Sequence, residues 1–151
     1  MKFPYSKRYT PPAPVVQIRL ALPEEGFKVG PLTAFVDSGA DASIAPLRYL
    51  RQLHSPAAGI KVLRSQWGER RSVDYHLVDI GIGDLRLPSV PIVADDLGDE
   101  LILGRSALNM LRVILDGPRA VVDICLLGLV HHVHAHNGDH LFHAVTSRAP
   151  S

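Results

Sequence analysis

The residues best equipped for chemistry lie in the stretch Ala34-Phe35-Val36-Asp37-Ser38-Gly39-Ala40-Asp41. A carboxylate, Asp37, ends an apolar run where a strand should be entering a core. Ser38, Gly39 and Ala40 follow, then a second carboxylate, Asp41. Asp-Ser-Gly is ordinary turn chemistry, because aspartate hydrogen-bonds its own backbone. The context adds a second reading: two small residues let a backbone approach whatever the carboxylate holds. Another apolar run, Leu101-Ile102-Leu103, ends in Gly104-Arg105 and leads straight into a helical pattern. A carboxylate in such a place could activate water if a second carboxylate stood beside it. One would take a proton from water while the other gave one to a carbonyl oxygen or a leaving amine. Like charges that close cannot both ionise, so one proton is shared, and the pair titrates as a unit.

The chain holds a single Asp-Ser/Thr-Gly triplet. The Asp-Gly-Pro at Asp116 reads as a hairpin turn, and 151 residues leave no room for a second lobe. If Asp37 is catalytic, its partner must be Asp37 of another chain. A two-fold dimer supplies that pairing, since a residue on the axis meets its own copy.

The elements that must position these residues are mostly strands. Residues 15–22 alternate well enough for one strand, and 32–37 form another after the turn-rich 23–31. Pro46 and the spacing of Leu47, Leu50 and Leu53 predict a short helix over 46–54. Residues 59–66 and 71–82 read as strands around Trp67-Gly68-Glu69-Arg70. Gly83-Asp84 is a two-residue turn. The strand 85–94 carries prolines that argue for an edge or a bulge. A short strand over 100–104 precedes a helix over 105–112, and 113–124 form a last hairpin. There is no βαβ alternation, so a parallel sheet is not expected. The predicted domain organisation is a flexible N-terminal arm at 1–14, the domain proper at 15–126 and a His-rich extension at 127–151.

Composition sets limits on function. Apolar residues make up 46% and charged residues 21%, a globular balance. A formal charge of +1 offers no electrostatic argument for nucleic acid or an anionic membrane. No apolar stretch reaches membrane-spanning length, and the N-terminus lacks the apolar run of a signal peptide. The expected location is cytoplasmic. The lone Cys125 sits among apolar residues and reads as a core residue.

On Phe35-Val36-Asp37-Ser38-Gly39-Ala40-Asp41 and on Ile102-Leu103-Gly104-Arg105 with its helix, the sequence resembles the retropepsin-like aspartic proteases. The resemblance covers about residues 15–125. It implies an all-β, closed barrel-like fold with one or two short helices, active as a homodimer that hydrolyses internal peptide bonds of a peptide or protein substrate. It implies no metal and no cofactor. It casts Asp37 as the catalytic carboxylate and Ser38 as a hydrogen-bonding group across the dimer. The Gly39 N–H would support the carboxylate, and Ala40 would stay small beside the substrate. Asp41 would bind the substrate backbone, Arg105 would steady the loop carrying Asp41, and Gly104 would allow close packing beneath it. The hairpin at about 62–75 would close as a flap, with Trp67 and Gly68 facing the substrate.

Two other readings stand beside this one. The same dimer could bind peptides or a partner protein without turning them over. The tail from residue 127 holds six of the eight histidines, which suits metal binding, although no Cys₂His₂ spacing orders them. A Ser/His/Asp hydrolase lacks a G-x-S-x-G elbow, and no P-loop or dinucleotide fingerprint occurs.

Overall fold

A computed structural model describes residues 1–65 and 67–126. The histidine-rich stretch 127–151, with the extension and metal-binding expectations attached to it, lies outside the described residues. β1 is Lys2–Pro4, β2 Val15–Ala21, β3 Val29–Val36 and β4 Ser43–Pro46; α1 follows at Leu47–Gln52. β5 is Gly59–Arg64, β6 Arg70–Ile82, β7 Leu85–Asp95 and β8 Leu101–Leu103. α2 is Arg105–Leu108, and β9 and β10 are Leu111–Asp116 and Val121–Leu126.

Alternation explains how β2 meets the core. Val16, Ile18 and Leu20 are fully buried, while Gln17 and Arg19 between them face out. The strand order β2-β3-β8-β4-β7-β6 closes because β6 also pairs with β2. The fold is therefore an all-β closed barrel with two short helices, and closure removes free edges from its wall. β5 hangs outside that ring, hydrogen-bonded to β6 alone. The long β6 serves both parts: its Val78–Ile82 half is buried in the barrel, whereas its Arg70–Tyr75 half runs beside β5 as an open hairpin.

The barrel contains parallel pairings that the sequence reading did not expect, β3 with β8 and β4 with β7. Their crossovers are made by long excursions of strand and hairpin, so no βαβ pattern announces them. The prolines of β7 mark a bulge and not an edge, since β7 lies between β4 and β6. The register slips between Val78 and Ile80, opposite Pro88 and Ser89, and Ser89 adopts φ 50°. Asp79 anchors the bulge: it is almost fully buried and accepts from the Ser89 N–H at 2.8 Å and from Arg86 Nε at 2.7 Å. Burial alone would raise its carboxyl pKa. The hydrogen bonds from Ser89, Arg86 and Glu24 outweigh that and hold it below the usual carboxylate value.

Three further expectations change. The arm at 1–14 is not loose at its start, because β1 pairs with β10, giving a three-stranded sheet in the order β1-β10-β9. The helix predicted over 105–112 stops at Leu108, because Leu111–Asp116 pairs residue by residue with β10 and contains β-favouring Val113 and Ile114. Cys125 is exposed and not in the core. Val122 and Ile124 take the inward positions of β10, so the strand's alternation turns Cys125 outward. Among the described residues, no helix is long and apolar enough to cross a membrane.

Candidate active site

Asp37 is delivered by β3 at the end of its parallel pairing with β8. The register Ala34↔Leu101 and Val36↔Leu103 continues into a bond from the Asp37 N–H to the Leu103 carbonyl at 3.0 Å. The backbone under the carboxylate is thus tied into the barrel, while the side chain reaches the surface and is exposed. The chain then turns tightly. The Gly39 N–H donates to Asp37 Oδ1 at 2.8 Å, and the Ala40 N–H approaches the Asp37 carbonyl at 3.3 Å. A Cβ on Gly39 would stand 3.1 Å from the same Oδ1, crowding the oxygen that its N–H now serves.

The loop 37–42 rests on the start of α2. The Arg105 N–H donates to the Ala40 carbonyl at 2.9 Å and the Ser106 N–H to the Asp41 carbonyl at 3.2 Å. The Arg105 guanidinium pairs with the Asp41 carboxylate. Gly104 sits against the loop backbone: a Cβ there would overlap the Ala42 carbonyl and come within 2.8 Å of the Ala40 oxygen. The demand is steric, since Gly104 has an ordinary φ of −92°.

Two serines that the sequence reading did not single out complete this support. Ser43 is fully buried, and its Oγ accepts the Gly104 N–H at 3.1 Å. Ser106 Oγ accepts the Ser43 N–H at 2.9 Å and lies 3.0 Å from Ser43 Oγ and 3.2 Å from the Pro91 carbonyl. The two hydroxyls therefore join β4, β7 and α2 directly beneath the loop. A hydroxyl residue next to each motif was the available signal, but serine at a turn or helix start is too common to read that way.

The loop forms one wall of a groove of about 380 Å³ whose other wall is β5, from Lys61 to Arg64, with Ile44 and Val93 between them. Of the expected site, Asp37, Ser38, Gly39, Ala40 and Asp41 share one loop, and Gly104 and Arg105 pack under it. Trp67 and Gly68 are placed differently, at the tip of the β5–β6 hairpin, where Trp67 is 83% exposed. The residues of the hairpin that line the groove are those of β5. Gly68 shapes the tip through φ 84° and a bond from its N–H to the Ser65 carbonyl at 3.0 Å.

The hairpin is tied to the barrel near its outer end. Arg71 forks onto Asp95 Oδ1 at 2.7 Å and Asp96 Oδ1 at 2.8 Å. Burial would raise the Asp95 carboxyl pKa, but the bonds from Arg71 and from the Leu97 and Gly98 N–H groups hold it below the usual value. The described residues contain no group of three or more His, Cys, Asp or Glu placed to hold a metal ion.

No family model matches the sequence, and no curated protein matches it. Among solved structures, the chain is similar to the EIAV protease complexed with the inhibitor HBY-793. The two are 18% identical, 64% of this chain and 86% of that chain are covered, and the TM-score is 0.49.

Proposed function

We propose that the chain is a homodimeric aspartic endopeptidase of the retropepsin type, in which Asp37 and Asp37 of a second copy activate water. The observation that carries this reading is the support of Asp37. An exposed carboxylate ends a parallel strand pair, accepts a backbone N–H and opens beside a groove roofed by an edge strand. The Gly39 bond alone is turn chemistry; the loop's further anchoring on Gly104, Arg105 and the Ser43–Ser106 pair suits a pair of carboxylates that must share one proton at a fixed separation. In the dimer, one carboxylate takes a proton from water and the other carboxyl protonates the carbonyl oxygen. The proton taken from water then passes to the departing amine nitrogen, while the other carboxylate recovers a proton from the gem-diol as the C–N bond breaks. Ser38 hydrogen-bonds across the axis, and Asp41, steadied by Arg105, positions substrate backbone.

The free edge of β5 supports an extended substrate. Its unpaired N–H and C=O groups can add a peptide as one more strand. The same edge favours the second reading, a dimer that binds peptide without cleaving it. The two readings separate on digestion of a mixed peptide library across acidic to neutral pH, by wild type and Asp37→Asn, with and without a pepstatin-like inhibitor. The peptidase reading expects internal cleavage, lost in the variant and in the inhibitor. Peptide capture without cleavage by the wild type would support the binding module.

A further inference from the structure

The hairpin beside the groove carries two like charges in register. Arg64 and Arg70 are directly opposite each other in the β5–β6 register. Like charges at such a position repel across the sheet. Both are exposed, and among the described residues no carboxylate lies within ion-pair distance of either. Their neighbour Arg71 is neutralised by Asp95 and Asp96. Glu69 lines the same pocket as the pair but is engaged by neither. The pair also has a defined place along the groove. Arg64 belongs both to the groove beside the Asp37 loop and to an adjoining pocket of about 670 Å³ that includes Arg70 and the exposed Leu97. A peptide laid along β5 from the Asp37 loop therefore passes the two guanidinium groups.

We infer that the groove selects acidic peptides, with Arg64 and Arg70 receiving a Glu or Asp side chain on the flank of the bond to be cut. The place of the acidic residue relative to a scissile bond rests on the peptidase reading; the recognition itself does not. The ligand carboxylate relieves the Arg–Arg repulsion as it binds, and the guanidinium fork suits a carboxylate better than any other side-chain group. In a two-fold dimer the pair recurs on both flanks of the site, so acidic residues on either side of the bond are accommodated.

The test uses the full chain carrying Asp37→Asn, so that binding is measured without turnover. Two labelled peptide pools are compared, identical except that Glu in one is Gln in the other. The Glu pool should bind about five- to tenfold more tightly at low salt, the worth of two exposed charge pairs. The preference should shrink as salt rises. Adding Arg64→Gln and Arg70→Gln should abolish it. Arg64→Glu with Arg70→Glu should reverse it toward a Lys-bearing pool, a gain that a misfolded protein cannot produce. Equal affinity for both pools, binding of neither, or a preference that survives the Gln variants would overturn the inference. Wild-type cleavage is assayed separately on both pools. An acidic preference without cleavage would sink the peptidase reading and leave the recognition standing.

Discussion

The loop that carries Asp37 and the hairpin that faces it are built on opposite principles. Beneath the loop, Gly104 admits no added atom, and the Ser43 and Ser106 hydroxyls tie three elements together. The hairpin stands outside the closed barrel, leaves β5 as a free edge and exposes Ile60 and Val62 on its surface. In the proposed peptidase, a group that holds a proton at a fixed position needs the first kind of construction. A strand that must admit and release a peptide needs the second. The loop thus has a close-packed base and the hairpin a free edge, and substitutions should separate the two.

The largest effect belongs to the base. Gly104→Ala forces the new methyl into the Ala40–Ala42 backbone and should cost about 3 kcal/mol, at the upper end for overpacking. Urea unfolding measures it, and cleavage should fall in parallel because the Asp37 loop must shift. Ser43→Ala comes next. It removes the acceptor of the Gly104 N–H and should cost about 2 kcal/mol, within the range for a buried group left unsatisfied. Its unfolding midpoint should drop without a change in denaturant slope.

At the hairpin tip the expected cost is smaller. Gly68→Ala places a side chain at φ 84° and should destabilise by about 1 kcal/mol. The loss should appear as faster amide exchange in residues 59–75 more than in global unfolding. Arg71→Ala removes an exposed fork worth less than about 1 kcal/mol, and exchange in the same residues should rise. The fork also predicts a pH dependence. Because the folded Asp95 carboxyl lies below its ordinary value, its stabilising contribution is present above the ordinary carboxylate range. It is lost as pH falls through the depressed folded value. Hairpin protection factors, corrected for the intrinsic pH dependence of amide exchange, should therefore fall in acid in the wild type and lose that acid step in Arg71→Ala.

How much of this could be read from the sequence follows the same division. The tight turn after Asp37 and the close packing of Gly104–Arg105 beneath it were legible because a Cβ at Gly39 or Gly104 meets neighbouring atoms, which leaves few residue types for those positions. The Gly83-Asp84 turn and the final hairpin were legible from local turn chemistry. β4 was missed because its four residues, Ser43–Pro46, show too short a pattern and end in proline. The parallel pairings and the β1–β10 pairing were missed because they join residues far apart in the chain, which no local periodicity encodes. Trp67 and Gly68 stand at the hairpin tip, as their place between two strand patterns suggested. That Lys61–Arg64 line the groove was not legible, because their types alone suggest an ordinary solvated strand. Cys125 was placed inward on its apolar neighbours, whereas alternation along β10 decides its side.

The central claim is that two copies of Asp37 form one site. The most direct measurement mixes wild-type chain with Asp37→Asn chain at constant total concentration, lets them re-equilibrate, and follows peptide cleavage against the wild-type fraction. A shared site predicts activity falling as the square of that fraction, because a mixed dimer holds only one carboxylate. A linear fall would mean that each chain carries a complete site, and would contradict the account.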